Sequence, residues 1–283
     1  MQIHSNTFIV TGGVGGCGKA VAKAILEKDG YVVLFDIVKA EVAIPLAQQI
    51  SKDRALYIQA DITDEDSTKK AVKAASNAFE KKLVGAVHCA GIAVRQPWSP
   101  IVSDSIPNFR NALNVNTLGT YILNAVVADA INERHEPLKY ASKGFFKTKE
   151  ERGAIINFAS VSGHDCYARN LGYGPTKSAV LGITRTMSDF LGESGIRVNS
   201  ISPSIINSNI TGPVFPYFLS ELERSSSFPA RAIEHDEIAG TVLFLIENGM
   251  MNGQDIRIDG GWRLVTDRHP DRPDYRTLAP GLE

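Results

Sequence analysis

The string Thr11-Gly12-Gly13-Val14-Gly15-Gly16-Cys17-Gly18 constrains this chain more than any other feature. It follows a β-branched, apolar run ending at Thr11. It leads into a stretch with Val21, Ala22, Ile25 and Leu26 on one helical face. Strand, glycine-rich turn and helix in that order place free N–H groups at a helix N-terminus, beside backbone that an anion can approach closely. Two glycine patterns overlap here. Gly13, Gly15 and Gly18 fit GxGxxG, and Thr11, Gly12, Gly16 and Gly18 fit TGxxxGxG. Such turns also serve plain strand–helix connections, and it is the setting between strand and helix that favours a phosphate cradle.

Beyond this turn, short apolar runs alternate with longer amphipathic stretches. Strands are expected at 7–11, 31–35, 55–60, 83–88, 154–159, 197–201 and 255–258. Helices are expected at about 19–29, 43–51, 64–79, 109–131, 178–191 and 236–246. The strand runs are continuously apolar, as in a parallel sheet buried on both faces. Strand–helix alternation then builds right-handed βαβ units. The expected fold is α/β: one doubly wound parallel sheet of about seven strands with helices on both faces. Three stretches read as irregular. Residues 132–152 form a lysine-rich insertion, 204–231 a flap rich in proline and aromatics, and 263–283 a tail. With no linker between two cores, residues 1–262 are expected to be one domain carrying the flap at about 204–231.

Composition narrows the function classes. Thirty basic residues face thirty-one acidic ones, so no charge excess draws the chain to nucleic acid or an anionic membrane. No apolar run reaches the ~20 residues that span a bilayer. Three cysteines, Cys17, Cys89 and Cys166, are too few and too scattered for a disulfide framework or a zinc site. The first strand begins too early to leave room for a targeting peptide. The expectation is a cytoplasmic protein.

The second strand ends at Asp36, eighteen residues after Gly18. An acid there can accept hydrogen bonds from adenosine ribose hydroxyls and repels a 2′-phosphate, or it simply ends a strand in solvent. No Arg or Lys directly follows it, which favours NAD over NADP. Tyr173 and Lys177 in Tyr173-Gly174-Pro175-Thr176-Lys177 lie one helical turn apart on one face. Alone the pair marks an ordinary helix face. In a dry pocket a lysine cation and a second positive charge would lower the phenol from its usual pKa near ~10. Pro175 sets the helix start near Tyr173. Ser160 ends a strand, where it is either a reacting hydroxyl or a cap. Asn116 sits inside a helix that it does not favour, where it is solvated or else bends the helix and holds water.

Taken together these motifs resemble the short-chain dehydrogenase/reductase family from about Thr7 to Gly261. Further matches are Asp61-Ile62, Cys89-Ala90-Gly91, Asn157-Phe158-Ala159-Ser160, Arg197-Val198-Asn199-Ser200-Ile201-Ser202-Pro203 and Asp259-Gly260-Gly261. The resemblance implies a Rossmann fold and a catalytic set of Asn116, Ser160, Tyr173 and Lys177, with Ser160 thirteen residues before Tyr173 as in the family. It implies NAD held by Gly12, Gly16, Cys17, Gly18 and Asp36. Asp61, Ile62, Ala90, Gly91, Pro203 and Ser208, together with Tyr173 and Lys177, complete the cofactor-binding set. His88 stands in place of the family's first Asn in NNAG, Ser204 replaces a Gly, and Ser208 replaces a Thr. Several strings, among them Val115–Thr120, are similar to type-2 3-hydroxyacyl-CoA dehydrogenases. The implied function is interconversion of a secondary alcohol and a ketone on a hydrophobic substrate, of the 3-hydroxyacyl-CoA or hydroxysteroid kind. The alternatives are a cyclic alcohol or ketone of specialised metabolism and a non-catalytic dinucleotide-binding protein. The pocket walls are expected at 92–98, 161–170 and the flap, which either closes on substrate or packs on the core or a partner subunit. His164 and Arg169 read as rim residues, and Lys139, Lys143, Lys147 and Lys149 as solvated. Wide apolar helix faces, with the resemblance, point to a homo-oligomer, tetramer or dimer.

Overall fold

A computed structural model describes residues 1–94, 99–135, 148–165, 171–208, 211–212 and 215–263. Seven parallel strands form one sheet in the order β3-β2-β1-β4-β5-β6-β7. They are β1 (Asn6–Thr11), β2 (Tyr31–Asp36), β3 (Ala55–Gln59), β4 (Lys82–His88), β5 (Gly153–Phe158), β6 (Ile196–Pro203) and β7 (Asp255–Ile258). The helices between them are α1 (Gly16–Glu27), α2 (Ala40–Ile50), α3 (Glu65–Ser76), α4 (Ile106–Ala112), α5 (Gly119–Asn132), α6 (Val161–His164), α7 (Gly174–Gly192), α8 (Phe215–Ser225) and α9 (His235–Glu247). The doubly wound sheet read from the sequence is present.

Alternating residues on each strand feed two cores. Phe8, Val10, Leu34, Val87 and Ile156 pack toward α1 and α9. Ile9, Val33, Ala86, Ile155 and Val198 pack toward α3, α5 and α7. This two-sided burial explains the unbroken apolar runs, since a strand covered on both faces has no solvent side to mark with polar residues. Strand order reverses between β1 and β4, and there the carboxyl ends of the strands open into a crevice.

Two expectations need correction. The helix expected at 109–131 is broken into α4 and α5 by a π-helical turn over Leu113–Leu118. Within that turn Asn116 is fully buried, and its amide bonds the backbone of Ile92 in place of solvent. The Thr120 hydroxyl donates to the Asn116 carbonyl at 2.6 Å and takes part of the helix's own bonding. The flap is also not wholly irregular. Phe215, Phe218 and Leu222 share one face of α8 and pack with Val161, Ile205 and Trp262. Residues 136–147 of the insertion and 264–283 of the tail lie outside the described residues, as do Cys166 and Arg169. Phe109, Leu113, Leu118 and Tyr121 on the α4–α5 side remain partly exposed, which is the apolar face expected from the sequence.

Candidate active site

A cleft of about 900 Å³ runs along the carboxyl ends of the strands. Its floor begins at the glycine-rich turn, where Gly12, Gly16, Cys17 and Gly18 all line it. Gly12 adopts φ +60, a left-handed conformation that favours glycine, and a Cβ there would lie 3.0 Å from the Ala90 N atom. A Cβ on Gly18 would lie 2.2 Å from the Gly12 carbonyl oxygen. The turn is therefore drawn as tight as glycine permits, and α1 begins directly behind it with no acidic residue in its first turn. That is a cradle for an anion.

Asp36 stands on the same wall at the end of β2. One carboxylate oxygen accepts from the Ile37 N–H at 2.9 Å, and the other has only a 3.4 Å contact from the Val14 N–H. Asp61 and Ile62 follow β3 on this side. Asp61 accepts from the Thr63 N–H and hydroxyl at 2.9 and 2.7 Å, which shapes the turn into α3. Ala90 and Gly91 come from the β4 end, and Pro203 and Ser208 from β6 and the loop after it. Cys17 is pushed up to about 11 and Cys89 also rises, both through burial, so neither is a thiolate at neutral pH. Among the described residues no cluster of ligating side chains could hold a metal ion.

The opposite half of the cleft holds Ser160, Tyr173 and Lys177. Ser160 caps the single turn of α6, accepting from the Ser162 N–H at 3.2 Å, and it also hydrogen-bonds Tyr173. The cap, one of the two roles open in the sequence, is thus present. Tyr173 is the residue before α7, and Lys177 lies one turn into that helix. The Lys177 Nζ atom donates to the Phe158 carbonyl at 2.7 Å and stands 5.7 Å from the Tyr173 ring centre. Asn116 does not reach the cleft wall. It accepts from the Ile92 N–H and donates to the Ile92 carbonyl, both at 2.9 Å, and donates to the Thr176 hydroxyl at 3.1 Å. Thr176 in turn donates to the Tyr173 carbonyl at 2.7 Å. A chain of bonds therefore joins the β4 loop to the residue bearing the phenol. Thr176 is missing from the sequence reading, although its place three residues after Tyr173 is where a hydroxyl reaches back to a helix's first turn.

The electrostatics add a cost at the phenol. Burial pushes the Tyr173 phenol up from its ordinary value, and the Ser160 bond only partly opposes this. Lys177 is itself pushed down to about 8 by burial. The lysine alone does not make the phenol acidic, because the desolvation that strengthens its field also penalises the phenolate. Beyond the triad, Ile92, Val94, Asn114, Tyr217, Phe218 and Trp262 line the rest of the space. Residues 95–98 and 166–170 of the expected walls lie outside the described residues. His164 is exposed to solvent outside the cleft lining, and it bonds Asp255 at 2.7 Å and Ser202 at 3.1 Å.

His88 is a second departure with consequences. Its Nδ1 atom shares a 2.6 Å bond with the Thr11 hydroxyl, which also accepts from the Ala90 N–H. Burial holds its pKa down to about 3. A histidine neutral in the fold and protonated in the unfolded chain stabilises fully above 6.5, and that contribution is lost as pH falls toward 3. We expect stability to fall by up to ~1.4 kcal/mol per pH unit in that window. Denaturant titrations of His88→Asn should show a flatter pH dependence. An identical slope in both proteins would refute the assignment.

A model of the family described as enoyl-(acyl carrier protein) reductase matches residues 13–263. The chain is 29% identical to the 3-hydroxyacyl-CoA dehydrogenase type-2 of Drosophila melanogaster, over 93% of this chain and all of that protein. It is 31% identical to the short-chain dehydrogenase fogB of Aspergillus ruber, over 94% of this chain and 99% of that one. The crystal structure of 3-hydroxyacyl-CoA dehydrogenase type-2 from Mycobacterium avium superposes with a TM-score of 0.78 at 29% identity, covering 93% of this chain and 98% of that one. With a glycine turn, a strand-end acid and a Ser–Tyr–Lys group around one cleft, the chain belongs to the short-chain dehydrogenase/reductase family. It is an oxidoreductase of a family that uses a nicotinamide dinucleotide and acts on alcohols and ketones.

Proposed function

We propose that this enzyme interconverts a hydrophobic secondary alcohol and its ketone with NAD, using Tyr173 as the acid/base. The observation that carries the reading is the hydrogen bond between Tyr173 and Ser160 at the strand ends, with Lys177 beneath, in the cleft that also holds the glycine turn. The residues fit a dinucleotide: the turn admits no Cβ at Gly18, and Asp36 offers a carboxylate at the adenosine end. The nicotinamide, when bound, supplies the two-electron acceptor or donor at carbon. Lys177 is placed to hold the nicotinamide ribose and Gly12–Gly18 the pyrophosphate.

In the oxidation direction Tyr173 takes the proton of the alcohol's hydroxyl while a hydride leaves the carbon that bears it, giving ketone, reduced cofactor and one proton. Reduction runs the same residues backward. Ser160 donates to the substrate oxygen and stabilises its developing charge. For Tyr173 to ionise near neutral pH it needs a further positive charge beside Lys177, and an oxidised nicotinamide carries one. Asn116, bonded through Thr176 to the Tyr173 backbone, keeps the phenol in register.

Asp36 followed by Ile37 and Val38 favours NAD, since a 2′-phosphate would meet a carboxylate with no adjoining cation. We expect NADP to bind at least ~30-fold more weakly than NAD, about 2 kcal/mol, and Asp36→Ala to close most of that gap. Equal affinity of the unmodified enzyme for both cofactors would overturn the choice. A second reading, a ring alcohol in place of an extended thioester, is favoured by the aromatic side chains of Tyr217, Phe218 and Trp262 on the cleft. Comparing kcat/KM for acetoacetyl-CoA with a series of cyclic ketones separates the two.

A further inference from the structure

Trp262 follows the turn Asp259-Gly260-Gly261, and its main chain is fixed there. The Asp259 carboxylate accepts from the Gly261 N–H at 3.0 Å, and the Asp259 carbonyl accepts from the Trp262 N–H at 2.8 Å. The Trp262 carbonyl accepts from Arg263 at 3.0 Å. Arg257 on β7 donates to the Asp259 carboxylate at 2.7 Å and to Asp165, the residue after α6, at 2.9 Å. Gly260 and Gly261 adopt φ +58 and +74, and a Cβ on Gly260 would lie 2.6 Å from the Pro229 carbonyl oxygen. These ties act on the backbone and leave the indole to fill space. Trp262 is 4% exposed and lines the cleft, so it is a fixed wall. It packs in one cluster with Val161, Ile205 and Leu222, against which Phe218 of α8 lies. Val161 directly follows Ser160, so this wall stands beside the hydroxyl assigned to the substrate oxygen.

We propose that Trp262 is a specificity-determining residue: its indole closes the α8 side of the cleft, so that the substrate is a compact, uncharged ring ketone or its alcohol. The inference rests on the alcohol–ketone reading above and deepens its ring alternative. Space is the first argument. The whole cleft is about 900 Å³, and a dinucleotide takes the greater part of it, so the substrate end is small. Chemistry is the second. Among the described lining residues the charged groups Lys19, Asp36 and Asp61 lie at the dinucleotide end, and Lys177 lies beneath Tyr173. The wall opposite is aromatic, with the Tyr217 and Phe218 rings meeting edge to face at 5.5 Å between centres. Flat, rigid rings of this kind accept an apolar ring and offer nothing to a phosphate. The bulk of the indole, more than its exposed surface, sets how long that ring system can be.

The test compares kcat/KM for cyclohexanone, the fused-ring ketone 2-decalone and acetoacetyl-CoA in the unmodified enzyme, Trp262→Phe and Trp262→Ala. The unmodified enzyme should favour cyclohexanone over 2-decalone. Trp262→Ala should raise the ratio of 2-decalone to cyclohexanone about tenfold or more, since ~10–200-fold is what one methylene decides in an apolar pocket. Trp262→Phe, which keeps an aromatic ring in the cluster, should raise it about threefold. NADH should bind all three proteins within about twofold. The ratio does not depend on how much of a variant is folded, so a merely structural role would not move it. If Trp262→Ala does not fold, the ratio in Trp262→Phe decides. An unchanged ratio in a folded variant overturns the proposal, as does an unmodified enzyme that prefers 2-decalone. Turnover of acetoacetyl-CoA alone also overturns it and leaves the alcohol–ketone reading standing. Turnover of none of the three, with NADH bound, removes that reading and this inference with it.

Discussion

Tyr173→Phe should lower kcat by about three orders of magnitude or more while NADH binds within about twofold of the unmodified affinity, the loss expected when a positioned acid/base is removed. The variant is clean because the backbone around residue 173 does not depend on the hydroxyl. Its carbonyl still accepts from the Lys177 N–H at 3.1 Å and the Thr176 hydroxyl at 2.7 Å, so α7 starts where it did. Ser160 keeps its bond from the Ser162 N–H, so the neighbouring hydroxyl stays in place. Single-turnover kinetics with a saturating ketone and NADH would read the chemical step directly. Turnover close to that of the unmodified enzyme would remove Tyr173 from the chemistry and with it the proposed mechanism.

Gly18→Ala should abolish measurable cofactor binding, a loss of ~100-fold or more, and lower the melting temperature. The new Cβ would meet the Gly12 oxygen at 2.2 Å and the Gly13 Cα at 2.8 Å. Both are backbone atoms of the cradle itself, so relief requires moving the turn. Overpacking of this kind costs ~1–3 kcal/mol in stability, or roughly 2–10 °C in a chain of this size. Gly16→Ala makes a useful contrast, because there the obstacle is the His235 ring, a side chain that can rotate away. Differential scanning calorimetry and NADH titration of the two variants should rank Gly18→Ala as the more damaging on both measures. The reverse order would show that the turn does not have the rigidity assigned to it.

The parts of the site legible in the sequence are those whose geometry is local. Tyr173 and Lys177 are one helical turn apart, and Ser160 and Asp36 sit where apolar runs end, so periodicity locates them on their elements while the family resemblance groups them into a site. Helix α8 was hidden by the aromatics and proline of its segment, yet Phe215, Phe218 and Leu222 at helical spacing were a readable signal. Pro216 lies in the first turn of that helix, where a missing N–H costs little. The break at 113–118 carried no such signal. Its cause is the Ile92 backbone, twenty-four residues away in sequence, which claims the Asn116 amide.

From the sequence alone came the sheet, the order of its elements and the residue types at the strand ends, because alternating burial and glycine turns impose themselves over a few residues at a time. Only the tertiary structure decided that Asn116 serves the Ile92 backbone, that Thr176 ties it to Tyr173, that His88 pairs with Thr11 and that His235 stands over Gly16. It also decided that burial raises the Tyr173 phenol, a cost that the lysine and a second positive charge together would have to offset. The physical reason is the same in each case. Hydrogen-bond partners and desolvation depend on which distant segments meet in space, and spacing along the chain does not record that.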